Sequence, residues 1–290
     1  MRVKKRMIVF FLLPCIILFA LIYLIPMGVV LVTSLFEWKS GGVFRFVGLK
    51  NYIEAFVNDT RMHQALKNTG IWALLQSVIH VGIGTITALI LARRRKGWRV
   101  IRTIMMIPNV ISAAALGVIF LNVFNPKYGL LNSLISVFTG SDFSKNWYFD
   151  QNTAFLTVTW SWLLYAGLVM IIVLAGVMSV PNDIIEAAKI DGATGLKIDF
   201  KIRLPLIRTT LGTCVIISAT SMLREFELIY LTTNGGPGVT TLNLPLYLYK
   251  TSMTDNNYGY ANMMGVLLII LGVIVVFAIN KLFKMNEADY

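Results

Sequence analysis

Residues 179–206 read SVPNDIIEAAKIDGATGLKIDFKIRLPL. In this stretch Asp183 is followed three residues later by Glu186, which is the spacing of a capping box, so we predict a helix that begins at Ile184. Gly192 can adopt the left-handed conformation that ends such a helix. A second short helix is expected before the chain becomes apolar again. The stretch is therefore predicted to be a pair of short helices joined by a sharp turn.

Long apolar runs lie on both sides of this stretch. Of the 290 residues, 57% are hydrophobic and only 14% are charged, whereas a soluble domain carries about 25% charged residues. A membrane-spanning helix needs about 20 apolar residues, and its backbone polar groups must be satisfied within the segment. We predict an all-α membrane protein of one domain, residues 1–290, with six transmembrane helices at 7–36, 68–92, 103–124, 152–180, 207–231 and 257–280. The loop 181–205 connects the fourth and fifth spans.

Lysine and arginine are unevenly distributed between the two sides of these spans. The two termini and the loops 93–102 and 183–208 carry 17 of the 26 basic residues. Because an excess of Lys and Arg marks the cytoplasmic side, we expect both termini and the 181–205 loop in the cytoplasm. The apolar run 7–36 is longer than that of a secretory signal and is expected to be an uncut membrane anchor.

Several function classes are disfavoured by what the sequence lacks. No Gly-x-x-x-x-Gly-Lys-Ser/Thr motif occurs, so we expect no nucleotide hydrolysis by this chain. With only two histidines, His63 and His80, a catalytic or metal-binding pair is not expected, and His80 is interpreted as a hydrogen-bonded packing residue. The net charge of +12 follows the membrane topology rather than a nucleic-acid footprint, because the basic residues cluster between apolar runs. We predict a non-enzymatic chain without a bound cofactor.

The loop also carries a motif of a known family. Glu186-Ala-Ala188, then Gly192, then Ile202-x-Leu204-Pro205 resembles the EAA motif of ABC-importer permeases, including its spacing. Asp191-Gly192-Ala193 is similar to the carbohydrate-uptake branch. Asn234-Gly-Gly-Pro-Gly238, predicted to form a tight turn, resembles the subfamily that includes the larger maltose permease and the first glycerol-3-phosphate permease. The resemblance extends over roughly residues 7–284.

This resemblance implies a permease subunit of an ATP-driven carbohydrate importer, most similar to those for oligosaccharides. Its partners would be a second, related permease in a heterodimer, two cytoplasmic ATPase subunits that bind ATP and Mg²⁺, an extracellular or periplasmic solute-binding protein, and membrane lipid. The location would be the bacterial plasma (inner) membrane, with several membrane passes. The implied ATPase-coupling residues are Glu186, Ala187, Ala188, Asp191, Gly192, Ala193, Ile202, Leu204 and Pro205.

A substrate pathway is implied at positions that line it in the family. These positions correspond to Asn109, Ala113, Ser161, Leu164, Tyr165, Ser218, Met222 and Glu225. The residues themselves support part of this set, because Ser218, Met222 and Glu225 share one helix face. Arg224, Glu225 and Glu227 are ionisable groups in a predicted span, and such groups mark functional sites by default. They either line the pathway or form a structural lock in which Arg224 pairs with Glu225 or Glu227.

Two other functions remain open from the sequence. The chain departs from the maltose permease at the implied sugar positions and lacks its extra spans, so maltose is not implied as the cargo. An ABC permease for a non-sugar solute is one alternative. An autonomous ion-coupled carrier, with Arg224, Glu225 and Glu227 as a relay, is another, but such a carrier has no use for a coupling loop.

Overall fold

The computed structural model describes residues 5–285, apart from the side chains of residues 5–8, 10 and 43. Its helices are α1 Lys5–Phe19, α2 Ile25–Thr33, α3 Lys50–Val57, α4 Thr60–Leu75, α5 Val81–Ala92, α6 Trp98–Val110, α7 Ala113–Val123, α8 Leu130–Thr139, α9 Ala154–Leu163, α10 Gly167–Ser179, α11 Asn182–Ile190, α12 Gly195–Ile198, α13 Leu204–Leu206, α14 Arg208–Met222, α15 Glu227–Thr232, α16 Leu244–Met253 and α17 Tyr258–Leu282. Three π-helical turns, Ala20–Leu24, Gln76–His80 and Asp199–Arg203, continue α1, α4 and α12 into the helices that follow.

Three helical segments are long and apolar enough to cross a membrane on their own. They are Phe11–Thr33, Thr60–Ala92 and Tyr258–Leu282. Three pairs of helices, each bent at a short break, pass the same test together, so the structure has up to six spans if each pair is counted as one. The pairs are Trp98–Val110 with Ala113–Val123, Ala154–Leu163 with Gly167–Ser179, and Gly195–Leu206 with Arg208–Thr232. The sequence locates these regions, but its continuous spans at 103–124, 152–180 and 207–231 are interrupted in the structure.

A short β-hairpin corrects the all-α prediction within the described residues. Strand β1, Phe36–Lys39, pairs antiparallel with β2, Val43–Phe46. The helical part of the first predicted span therefore ends with α2 at Thr33, and residue 36 belongs to the hairpin rather than to the predicted span 7–36. Aromatic residues alternate along both strands, a pattern that favours a strand over a helix, and Gly41 and Gly42 supply the positive φ angles of the turn.

The chain packs as two compact units. The first contains residues up to 62 together with residues 247–270, and Asp59 is its polar centre. The Asp59 carboxylate accepts hydrogen bonds from the hydroxyls of Tyr247 (2.6 Å) and Tyr260 (2.7 Å) and from the backbone N–H groups of Arg61 and Met62. Burial raises the pKa of Asp59, but these hydrogen bonds outweigh it and hold the pKa below its usual value. Asp59 thus remains charged while capping the start of α4.

The second unit contains residues 63–246 and the residues from 271 onward, with its core between α5, α10 and α14. Gly84 allows α5 to approach α10 closely, because a Cβ atom at this position would lie 2.6 Å from Cγ1 of Val169. Cys214 contributes to this core from α14. His80 contacts the carbonyl oxygen of Leu163 at 3.1 Å through Nδ1, so its interpretation as a hydrogen-bonded packing residue is confirmed.

The Asn234–Gly238 segment of this unit is a tight turn, as predicted. Asn234, Gly235 and Gly238 all have positive φ angles. The hydroxyl of Thr241 donates to the Gly236 carbonyl oxygen at 2.8 Å and closes the turn. The chain beyond it is fastened to α4, since the Asn68 side-chain amide donates to the carbonyl oxygens of Thr240 and Leu242.

Candidate functional site

Helix α11, the first part of the predicted coupling loop, begins two residues earlier than expected. Its first residue is Asn182, and Pro181 occupies the capping position with an extended backbone. The predicted capping box is therefore wrong: no side chain caps this helix end, and Asp183 lies within the first turn. Pro181 has no N–H group to satisfy and already has a φ angle suited to the start of a helix, so the helix can begin directly after it. Asp183 still favours the helix through its position near the positive end of the dipole.

The end of α11 is set by Gly192, as the sequence predicts. Gly192 has a φ angle of +79°. Its N–H group donates to the Lys189 carbonyl oxygen at 3.0 Å, and the Ala193 N–H group donates to the Ala188 carbonyl oxygen at 2.8 Å. This pair of hydrogen bonds is the Schellman motif, which ends a helix and turns the chain sharply.

The predicted coupling residues divide into an exposed and an inward-facing group. Glu186, Ala187, Asp191, Gly192 and Pro205 are exposed; Ala193, Ile202 and Leu204 are half-buried; Ala188 is buried against its own chain. Beside the exposed group lie three apolar side chains that the sequence analysis did not select: Ile190, Leu196 and Phe200. Ile190 is almost fully exposed, at 87%. The open side of the loop thus combines Glu186 with small and apolar groups.

A buried carboxylate anchors the loop, and the sequence analysis missed it. Asp199 is 1% exposed and lies between two guanidinium groups, those of Arg93 at 2.7 Å and Arg203 at 2.8 Å. Arg93 follows α5, so this ion pair joins the coupling loop to the end of the second span. The i, i+4 spacing of Asp199 and Arg203 is a recognisable sequence signal for a helical pair. The contact with Arg93, over a hundred residues away, leaves no such signal.

The predicted pathway residues gather at three interruptions of the spans. The helices are interrupted at residues 111–112, 164–166 and 223–226, with bends of 103° at the first and 41° at the second; the 74° bend of the third pair lies elsewhere, between Leu206 and Arg208. Asn109 and Ala113 flank the first break; Ser161, Leu164 and Tyr165 lie at the second; Ser218, Met222, Arg224, Glu225 and Glu227 lie at or near the third. Non-helical backbone at membrane depth is tolerated where it is buried in protein or lines a cavity, so these breaks are candidates for a solute pathway.

The first two breaks are in direct contact. The side-chain amide of Asn109 donates to the Tyr165 carbonyl oxygen at 3.3 Å. Gly167 permits this approach, because a Cβ atom there would collide with the Met105 carbonyl oxygen. The ring of Tyr165 also lies 5.9 Å from that of Phe120 in α7, measured between centroids. Gly167 is a second residue that the sequence analysis missed.

The third break is stabilised by Glu225. One carboxylate oxygen of Glu225 accepts a hydrogen bond from the Leu228 N–H group at 3.1 Å, in the first turn of α15. The backbone carbonyl oxygen of Glu225 accepts a hydrogen bond from the side-chain amide of Asn243. Arg224 and Glu227 are exposed. Within residues 5–285, no ion pair joins Arg224 to Glu225 or Glu227, so the structural-lock interpretation lacks the contact on which it depends.

The remaining predicted pathway residues differ in their access to solvent or solute. Ser161 is fully buried, with its hydroxyl 2.7 Å from that of Tyr148. Ser218 and Met222 are also buried, whereas Leu164 and Asn109 are exposed. The structure brings α7 against α15 and α6 against α10 around the breaks. The exposed members of the predicted set are Asn109, Leu164, Arg224 and Glu227.

The arrangement matches known membrane transport proteins. Residues 80–285, more than half of the chain, match the family described as "Binding-protein-dependent transport system inner membrane component". The chain is 30% identical over 283 residues to the probable ABC transporter permease protein YurN of Bacillus subtilis, covering 96% of each. It is 32% identical over 247 residues to the multiple sugar-binding transport system permease protein MsmF of Streptococcus mutans, covering 84% of this chain and 83% of MsmF.

Solved structures agree on the fold. The chain aligns with a subunit of a bacterial alginate ABC transporter, crystallised with an alginate pentasaccharide-bound periplasmic protein, at a TM-score of 0.83 and 21% identity, covering 98% of this chain and 96% of that one. The resemblance inferred from the EAA motif is thereby confirmed. The chain is a multi-pass membrane protein that belongs to the family of binding-protein-dependent transport system inner membrane components, the permease subunits of ABC importers.

Proposed function

We propose that the chain forms half of the transmembrane pathway of an ATP-driven importer for a carbohydrate, most simply an oligosaccharide. The observation that carries this proposal is the coupling loop, which presents Glu186 and Ala187 on its open side and is fixed to the second span by Asp199. The name of the relative MsmF, a multiple sugar-binding transport system permease, supports a sugar as the cargo. An autonomous ion-coupled carrier is disfavoured, because the relatives are permeases of ABC transporters.

The proposed assembly contains four further subunits and follows from family membership. A second, related permease completes the pathway as a heterodimer, and two cytoplasmic ATPases bind ATP and Mg²⁺. A solute-binding protein on the opposite side delivers the sugar. This chain binds no cofactor of its own in the proposal, both of its termini and its coupling loop face the cytoplasm, and the assembly lies in a bacterial plasma membrane.

The proposed mechanism connects the coupling loop to the helix breaks. Closure of the two ATPases brings their docked loops together, which favours one of two conformations of the bundle. Asp199 transmits this movement to α5 through Arg93, because a buried ion pair of 2.7 Å allows little independent motion. The breaks at 111–112, 164–166 and 223–226 are the places where spans can rearrange around a solute, and Asn109, Leu164 and Arg224 are exposed there.

ATPase activity of the reconstituted complex tests this function. The chain would be co-expressed with its ATPase and second permease, placed in lipid nanodiscs, and assayed with a solute-binding protein and a panel of oligosaccharides. We expect a sugar-loaded binding protein to stimulate hydrolysis, and Glu186→Ala to abolish the stimulation. If no ATPase accompanies the chain through purification, or if the panel gives no stimulation while a non-sugar solute does, the proposed function or its cargo is wrong.

A further inference from the structure

A polar cavity of about 290 Å³ lies at the base of the coupling loop. It is partly open and is bounded by the C-terminal ends of α5 and α10, the start of α11 and the π-helical turn Asp199–Arg203. Its lining residues are Ala92, Arg94, Val177, Met178, Val180, Asn182, Ile185 and Arg203. A water molecule occupies about 30 Å³ in the liquid, so the cavity has room for a group several times larger.

Two guanidinium groups, and no carboxylate, line this cavity. Arg94 follows the end of α5, and Arg203 is the last residue of the π-helical turn. The buried Asp199, in the same π-helical turn as Arg203, uses one carboxylate oxygen for Arg93 and the other for Arg203. Nε of Arg203 is buried without a hydrogen-bond partner among the described residues. The lining therefore has a surplus of positive charge and an unused donor.

The start of α11 adds further donors to the same cavity. The helix is nine residues long, its first residue Asn182 lines the cavity, and no side chain caps its N-terminus. The first N–H groups of a helix have no partner within it, and the dipole favours negative charge at this end. Asp183 in the first turn is exposed and is not part of the lining.

Arg94, an exposed residue of the lining, has an unusual backbone conformation. Its φ angle is +47°, a left-handed value that costs a residue with a Cβ atom about 1–2 kcal/mol in general. The N–H group of Arg94 donates to the Leu91 carbonyl oxygen at 2.9 Å, which continues α5 into this turn. A second arginine, besides Arg203, therefore lines the cavity at the end of the second span.

From this lining we propose that the cavity is a binding site for a phosphate-class anion. Paired guanidinium groups and a helix N-terminus are the protein groups that best match a tetrahedral oxyanion. The chemistry is shared by free phosphate and by the headgroup of an anionic phospholipid, whose glycerol could contact Val177 and Met178 at the end of α10. An anion in this place would contact α5, α11 and the π-helical turn together and would stiffen the coupling loop.

Binding measurements on the full-length protein, purified with the subunits that accompany it, test this inference. Inorganic phosphate would be titrated at constant ionic strength, and retention of phosphatidylglycerol against phosphatidylcholine would be followed by native mass spectrometry. The variant is Arg94→Asn, since asparagine accepts a left-handed backbone more readily than most residues. Its matched control is Arg95→Asn, which removes the same charge from an exposed neighbour outside the lining.

We expect Arg94→Asn to weaken anion binding roughly tenfold or more, because a charge-assisted hydrogen bond is lost, and Arg95→Asn to leave it within about twofold. Saturable binding of inorganic phosphate alone would support a soluble anion as the ligand. Selective retention of phosphatidylglycerol that is lost in Arg94→Asn would support a lipid headgroup. The inference is overturned if neither probe binds saturably, or if the two variants weaken binding equally. None of these readouts depends on the cargo or on ATP hydrolysis.

Discussion

The coupling loop and the helix breaks are both interruptions of long apolar helices, but they are stabilised by different forces. The loop is fastened by charge, with Asp199 between Arg93 and Arg203. The first two breaks are held by close backbone approach and a neutral hydrogen bond from Asn109 to the Tyr165 carbonyl oxygen, and the third by the single carboxylate of Glu225, which accepts from the Leu228 N–H group. A buried ion pair fixes one geometry strongly, whereas neutral contacts can exchange at lower cost. We therefore expect the coupling loop to move as a rigid element and the helix breaks to be the places where the bundle changes conformation.

The largest expected loss of stability comes from removing the Asp199 carboxylate that anchors the coupling loop. Asp199→Ala leaves two guanidinium groups without their shared partner, and loss of one member of a buried ion pair costs about 3–5 kcal/mol. Because Arg93 and Arg203 are partly exposed, we expect about 2–3 kcal/mol. The thermal unfolding midpoint of the purified complex measures this change.

The exposed carboxylate of Asp183, in the same loop, provides the control for that substitution. Asp183→Ala removes only a favourable interaction with the dipole of α11, which contributes less than about 1 kcal/mol. Equal shifts for the two variants would contradict the assignment of Asp199 as the anchor of the loop.

A second substitution tests how closely the breaks are packed. Gly167→Ala forces a methyl group against the Met105 carbonyl oxygen, and overpacking of this kind costs about 1–3 kcal/mol. Gly82→Ala is the matched control in α5, where a methyl group would meet nothing within 4 Å. Since alanine is the better helix former, the control should stabilise the protein by about 0.5–1 kcal/mol. The unfolding midpoints should therefore move in opposite directions, and a common direction would show that the second break is loosely packed.

The turn after α11 should show a smaller effect with a functional consequence. Gly192→Ala places a side chain at a φ angle of +79°, at a cost of about 1 kcal/mol. Gly192→Asn should recover much of the loss, because asparagine adopts this conformation more readily. ATPase stimulation by a loaded binding protein should fall in the alanine variant and be partly restored in the asparagine variant. Indistinguishable variants would mean that the turn is not needed for coupling.

The smallest expected change in stability is at Arg224. Its substitution distinguishes a residue that lines the pathway from one that forms a structural lock. Arg224→Gln breaks no ion pair among the described residues, so stability should change by less than about 0.5 kcal/mol. Glu225→Ala removes the cap on the Leu228 N–H group and should cost about 1 kcal/mol. A transport assay on the arginine variant should show reduced uptake if Arg224 lines the pathway. Destabilisation by Arg224→Gln well beyond that of Glu225→Ala would restore the lock interpretation.

The sequence predicts the membrane regions well because hydrophobicity alone defines them. It also locates Gly192, since a left-handed turn favours one residue type. It misses the breaks at 111–112 and 164–166. The first carries a local signal that was not used, because the Ser112 hydroxyl accepts from the Ala115 N–H group and caps α7. The second depends on contacts between helices, such as Gly167 with Met105.

The candidate site is predicted only in part for the same reason. The EAA motif is local and therefore visible, whereas the anchor at Asp199 needs Arg93 from a distant part of the chain. The predicted cap at Asp183 fails because Pro181 begins the helix without any side-chain cap. The coupling and pathway roles of the individual residues stay predictions.

The central claim is that the open side of the coupling loop docks on an ATPase, and site-specific photocrosslinking tests it most directly. A photoreactive amino acid would replace Ala187 on that side, and, as the control, Phe138, which is 85% exposed on α8 between the third and fourth spans. We predict that position 187 captures the co-expressed ATPase subunit in membranes and that position 138 does not. Capture from position 138 alone, or from neither position while the complex remains intact, would contradict the assignment of this loop as the coupling element.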